Sequence, residues 1–420
     1  MKVTSSLSVL LLASRSIAQV EPQGASLPIV EECGYDGQAV CVNRYAAVLP
    51  YHFNRSITTL GDEVDFSMTD VPSDPSWELL QDTPFVIFDK ERAAQALGEN
   101  PRYEFMFEVG NSVHECPVYI PETNLLYLSE LPPMEMGDPG DWLQQYVIDL
   151  NQEPPTLNRW TPNPPVFSPN GGAYYRGKLI WTSSGGFDNV NGSEQRVALH
   201  SIDPQTNEST VLLNNYFGFY FNNMNDVTIH PTSGDIFFTD PQYPWLNSRI
   251  DTAPQLPTAT YRFNPATGAV TVVDMTISQP NGLAFSPDGR TMYIAESGAL
   301  SGSVSPEYPG TKAYNTTGPR AIYAFSVDNN GTKIHDKRSF YLVQDYIPDG
   351  LDVSADGLVL SASGHGLDVL AETGELVMRI QTNHSVANFA FTGENLDQLW
   401  LVGNKGISRI DWNVKGQELV

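Results

Sequence analysis

Five polar residues open five copies of one local phrase along this chain: Glu115, Asn170, Asn225, Asn281 and Asp349. A sixth copy has Ala387 at that place, with Asn388 one position out of register. If the copies pack around a common axis, these side chains meet at one end of it. Two carboxylates and three amides gathered there with no cation would carry a large desolvation cost. Hard oxygen donors of this number and type suit Ca2+, and two carboxylates neutralise a divalent ion. Zinc takes histidine or cysteine, and neither occupies the set. Taken singly, an Asn or Asp before a strand caps a turn through its own side chain. The shared register of all five is what points to a metal.

The elements that must position them are strands. The phrases read Glu115-CPVY-IPETNLLYLSE, Asn170-GGAY-YRGKLIWTS, Asn225-DVTI-HPTSGDIFFTD, Asn281-GLAF-SPDGRTMYIAE and Asp349-GLDV-SADGLVLSAS, and the sixth runs ANFA-FTGENLDQLWLV. Each has a polar residue, four strand residues, a tight turn and a second strand rich in β-branched and aromatic residues. A second hairpin signal follows most of them, as in Ala198–Pro204, Tyr261–Pro265 and Ile322–Ser326. Four antiparallel strands in roughly 40–70 residues make one propeller blade. The fold class expected is all-β, a six-bladed β-propeller with a central metal-binding channel and an N-terminal extension. Radial packing gives such short strands a core, which a two-sheet sandwich would not explain in register.

Residues 101–415 form the propeller in this reading. Residues 1–18 read as a signal peptide: Lys2, the apolar run Leu7–Ala13, and the small-residue end Ser16-Ile17-Ala18. Residues 19–100 are an extension packing on the propeller, with a short helix over Asp89–Gly98. Arg102–Val109 alternates like a strand and is expected to close the ring against the last blade. Six N-x-Ser/Thr sequons, at Asn54, Asn191, Asn207, Asn315, Asn330 and Asn383, accord with a secreted, extracellular glycoprotein. Cys33 and Cys41 are close enough for a local disulfide, and Cys116 sits in an apolar run as a buried thiol. With 23 Lys and Arg against 49 Asp and Glu, the net charge is −26. A surface this acidic disfavours nucleic acid and anionic membranes, and no apolar stretch reaches the length of a span.

The phrases Asn225-Asp226-Val227, Pro280–Gly289 and Pro348–Leu351 resemble those of the gluconolactonase-type (senescence marker protein-like) family of calcium-dependent propeller hydrolases. Ser168–Tyr175 and Leu212–Gly218 resemble more narrowly the secreted fungal lactonohydrolases, which act on aldonolactones and pantoyl lactone. The resemblance implies a metal held by Glu115, Asn225, Asn281 and Asp349, the residues that the register also selects. Asn170 would be a neighbour that binds substrate or a metal-bound water. Asp352 matches part of a second, structural calcium site of some relatives, but Ala390 stands where a histidine belongs, so a single ion is expected.

For a small-molecule lactone as substrate, Asp349 is the first choice of general base, with His114 as rival base or as proton donor to the leaving alkoxide. His365, between glycines in Ser363–Gly366, is a candidate substrate contact at the channel edge. No G-x-S-x-G elbow supports a catalytic serine. Two other readings stay open on sequence grounds: an arylesterase or phosphotriesterase on the same calcium, and a calcium-stabilised propeller that only binds.

Overall fold

The computed structural model describes residues 28–50, 52–55, 65–112, 114–131, 145–186, 195–246, 249–300, 314–315, 317–328 and 331–418. The signal-peptide reading of residues 1–18 and the sequons at Asn191 and Asn330 fall outside them.

Each phrase forms a hairpin for the reason its turn chemistry suggests. At Ser286-Pro287-Asp288-Gly289 the chain reverses with Gly289 at φ 67° and its N–H donating to Ser286 O at 2.8 Å. Gly357 does the same at φ 93° behind Ser354. A side chain is disfavoured at both places, because only glycine enters the left-handed region without a Cβ penalty.

The hairpins assemble in pairs into sheets, five with four antiparallel strands and one mixed sheet with seven. The four-stranded blades begin at the innermost strands His114–Ile120, Pro169–Tyr175, Val227–Ile229, Pro280–Phe285 and Asn388–Thr392. The seven-stranded sheet holds a sixth set of four, starting at Pro348–Val353, extended outward by Phe85–Ile87, Ala39–Val42 and Val30–Glu32. Each innermost strand packs on the next, and Asn388–Thr392 packs back on His114–Ile120, which closes the ring. In the blade begun by Asn388, the outermost strand is Arg102–Glu108, paired antiparallel with Gly406–Asp411. N- and C-terminal parts of the chain therefore share one sheet, which removes the open edge that a linear array would expose.

The N-terminal extension adds strands rather than capping a face. Phe85–Ile87 pairs with Met378–Ile380, and Ala39–Cys41 runs parallel to Phe85–Ile87. The helix Lys90–Leu97 is capped by the Asp89 carboxylate, which accepts from the N–H groups of Glu91 and Arg92, and ends before Gly98 at φ 73°. Its buried Ala93, Ala96 and Leu97 join Phe85, Leu367, Val377, Phe389 and Leu401 in one core between two blades. Cys33 and Cys41 form a disulfide within this extension.

Candidate active site

The polar residues of the phrases arrive at one mouth of the central channel because each stands at or just before the start of an innermost strand. Glu115, Asn170, Asn225 and Asn281 are 5–7 % exposed, and Asp349 is partly buried. Close approach of the inner strands needs glycine directly after three of them. A Cβ on Gly282 would lie 2.1 Å from Asp349 O, one on Gly171 2.6 Å from Asn225 O, and one on Gly350 2.6 Å from Asn388 Oδ1. Hydroxyls from the second strands tie each start to the next blade. Ser129 donates to Pro169 O at 2.6 Å, Thr182 to Asn225 O at 3.0 Å, Thr239 to Asn281 O at 2.8 Å, and Ser297 to Pro348 O at 2.7 Å.

The amides are turned differently, and this separates their roles. Asn225 Nδ2 donates to Asn170 Oδ1 at 3.3 Å, and Asn281 Nδ2 donates to Ser297 Oγ at 3.2 Å. Both Oδ1 atoms are thereby left for a cation. Asn170 Oδ1 also accepts from Ser184 Oγ at 2.8 Å, so its oxygen is occupied twice and its Nδ2 is left to donate to a ligand.

Glu115 is pushed well above the usual carboxylate range by burial, then by the negative charges of Asp349 and Asp226. The protein alone holds these carboxylates against their preference, and a divalent cation between them would remove that conflict. Among the described residues no three His, Cys, Asp or Glu side chains gather closely enough to hold a metal. The donor set is one of two carboxylates and two amides, all oxygen, which fits Ca2+ and not a soft metal.

Asn388, one place out of register in the sequence, lies beside Glu115 and favours its charged form. Beneath the ring lies a cavity of about 180 Å³, lined in part by Asp226, Asp352, Gly172 and Asn388. Burial raises Asp226 to about 7 and Asp352 to about 6. Gln417 closes the far end, donating to Phe285 O and Val353 O at 2.8 Å each.

His114 is fully buried. Its Nδ1 is 3.2 Å from Gly403 O, its ring lies 5.5 Å from that of Tyr146, and its Nε2 has no hydrogen-bond partner. His365 lies between the strands Val359–Ser363 and Gly366–Leu370. Its N–H donates to Asp345 Oδ2 at 3.2 Å and its carbonyl accepts from Thr382 N, while no bond from its ring reaches the five-residue set. Cys116 is sealed against Gly171 O at 2.9 Å, with its thiol pushed well up by burial, which suits packing and not a nucleophile.

Three residues at this mouth carry no repeat signal. Tyr243, in the short helix Tyr243–Leu246, sits in electrostatic reach of Asp349 and beside Ser297 and Asn281. Arg249 follows that helix and interacts with Glu115. Asp226 directly follows Asn225, where three other phrases have glycine. That last difference was visible in the sequence. The first two lie in a connection with no periodicity to place them.

The family described as SMP-30/Gluconolactonase/LRE-like region matches residues 113–304 and 308–404. The chain is 41% identical over 384 residues to lactonohydrolase oryL of Aspergillus oryzae, covering 90% of this chain and 86% of that protein. To lactonohydrolase oryH of the same organism it is 33% identical over 452 residues, covering 94% and 95%. Among solved structures it is similar to XC5397 of Xanthomonas campestris, described as a gluconolactonase. The TM-score is 0.60 at 23% identity, over 78% of this chain and 94% of that one. Matched along most of the propeller, this chain belongs to the SMP-30/gluconolactonase family.

Proposed function

We propose that this protein is a secreted calcium-dependent lactonase that hydrolyses an aldonolactone or a related small lactone. The observation that carries the reading is the orientation of the ring amides. Asn225 and Asn281 spend their N–H groups on the protein and keep their oxygens, beside Glu115, which burial and the charges of Asp349 and Asp226 push well above the usual carboxylate range. The names of the fungal relatives supply the reaction class.

In this reading Glu115, Asn225, Asn281 and Asp349 hold Ca2+, which when bound supplies Lewis-acid polarisation of an ester carbonyl. Asn170 donates its Nδ2 to a substrate oxygen. Asp349 takes the proton from the attacking water, which adds to the lactone carbonyl carbon. The ring C–O bond then breaks, the alkoxide takes up a proton, and a hydroxy acid leaves. His114 is the second candidate for either proton. Burial lowers its pKa, so the ring is neutral at pH 7 with Nε2 open to accept or Nδ1 bonded to Gly403 O. His365, in the loop between Val359–Ser363 and Gly366–Leu370, is proposed as a substrate contact. The leader at residues 1–18 would direct export, checked by locating the mature chain in culture medium and sequencing its first residue.

The test is pH-stat hydrolysis of D-pantoyl lactone, glucono-δ-lactone and galactono-γ-lactone, before and after EDTA, with calcium added back. Acid release that EDTA abolishes and calcium restores supports the reading. No release from any lactone while calcium stays bound would overturn it and leave the ester and binding alternatives.

A further inference from the structure

Among the described residues, four arginines shielded wholly or partly from solvent pair with an acid. Arg379, 1 % exposed, meets Asp345 at 2.7 Å, Asp368 at 2.9 Å and Ser363 O at 3.0 Å. Arg262 pairs with Asp235, Arg196 with Asp251 at 2.6 Å, and Arg409 with Glu104 at 3.0 Å. Half-buried Arg249 makes no side-chain hydrogen bond or ion pair among the described residues. Its one bond is from the backbone N–H to Pro244 O at 2.7 Å, and its Nε is sealed from solvent with no partner. Among the described residues, the charged side chain in its electrostatic reach is Glu115, a member of the ring. Burial lowers the guanidinium only to about 10, so it stays charged at neutral pH.

A desolvated cation without a partner is costly unless a ligand completes it. Glu115 cannot serve as that partner once its charge and that of Asp349 are spent on a divalent ion. What remains at the mouth is one fixed positive charge. A second unmatched group lies on the same blade. Asn223, two residues before Asn225, is 0 % exposed, and neither atom of its side-chain amide finds a partner. Its backbone is held by Asp240, through a bond of 2.7 Å from Asn223 N to Asp240 Oδ1. Asp240 ends the strand from which the Tyr243–Arg249 connection departs.

We propose that Arg249 is a specificity-determining residue that takes a free carboxylate of the substrate, so that the preferred lactone is anionic, a lactone of a di- or tricarboxylic acid. The proposal rests on the lactonase reading and narrows it. A guanidinium offers parallel N–H donors that match a carboxylate in a fork, which an aldonolactone hydroxymethyl group does not fill.

The experiment uses two lactones that differ at one carbon, D-glucono-1,4-lactone and D-glucaro-1,4-lactone, with a hydroxymethyl or a carboxylate at C6. Wild-type kcat/KM should favour the carboxylate by about 10- to 100-fold, the effect of one charge-assisted hydrogen-bonded pair. In Arg249→Met the ratio should fall to about 1, and Arg249→Lys should keep part of it. Binding of the product acids is measured in parallel by calorimetry on calcium-loaded protein. D-glucarate should bind wild type at least about 10-fold more tightly than D-gluconate, and Arg249→Met should bind both alike. A wild-type ratio near 1, or a ratio that survives Arg249→Met, overturns the proposal. An equal loss on both lactones would assign Arg249 to charge developed in the reaction instead. If neither lactone is turned over, the lactonase reading fails, and the glucarate-to-gluconate binding ratio still decides the role of Arg249.

Discussion

At the scale of single residues, the site separates groups that look alike in the sequence. Asn170, Asn225 and Asn281 occupy equivalent places, yet only Asn170 has its oxygen filled by protein donors. Asn225→Asp should therefore preserve calcium binding better than Asn225→Leu, measured by calorimetry, because an oxygen is what the position supplies. Asp349→Asn should lower kcat/KM by about 10²- to 10⁴-fold if Asp349 is the base, while His114→Gln should cost less than about 10-fold. A loss of 10²-fold or more in His114→Gln would move the proton role to the histidine. Elsewhere, His384 is buried between Ser385 O and Ser408 Oγ at 2.7 Å each, and burial lowers it to about 4. The unfolded chain binds its proton near pH 6.5 and the folded one near 4, so this group's contribution is full above pH 6.5 and lost as pH falls to 4. Asp240 works in the opposite sense: burial raises it to about 7, and it costs stability as pH rises from about 4 to 7. Urea unfolding should show the penalty of His384→Gln shrinking by about 2 kcal/mol between pH 7 and pH 5. An unchanged penalty would mean that His384 charges in the folded state.

At the scale of elements, the channel mouth is a set of strand starts held in register by hydroxyls and by missing Cβ atoms. Thr239→Val keeps the shape of the second strand but leaves Asn281 O without its 2.8 Å donor. It should cost about 1–2 kcal/mol and weaken calcium binding, since Asn281 is one of the proposed donors. Gly282→Ala is the harsher change. Its Cβ would sit 2.1 Å from Asp349 O, so the starts of two adjacent blades must separate. A loss of about 3 kcal/mol in unfolding free energy is expected, together with loss of calcium binding. Retention of full affinity in that variant would show that the ring does not depend on close strand approach. The repeated phrase made these elements legible: a turn triplet between two β-branched runs fixes a hairpin from local chemistry alone. The connections between hairpins were not legible. Tyr243 and Arg249 lie in one of them, where no period ties a residue to a face.

For the whole molecule, two devices close the ring and thicken it. Arg102–Glu108 completes the blade that Gly406–Asp411 ends, and three further strands of the extension widen the seven-stranded sheet. The Cys33–Cys41 disulfide joins two segments of this extension, 8 residues apart, away from the channel. Its reduction should lower stability by about 2–3 kcal/mol, read as a fall in Tm, with KM unchanged. A change in KM on reduction would link the extension to the channel. The sequence by itself determined the repeat and the all-β class, and it nominated the five ring residues. Those follow from local hairpin chemistry and from the rule that equivalent residues of a radial repeat lie at equivalent heights. It determined as well that Arg102–Val109 has the alternation of a strand with a partner to find. The tertiary structure alone decided where the extension pairs, because a partner about 290 residues away leaves no local trace. It decided also which way each amide turns, since that depends on Ser184 and Ser297 arriving from the second strands. Finally it decided that Arg249 faces Glu115 with its Nε left without a hydrogen-bond partner, a fact of charge placement that exists only once the chain has folded.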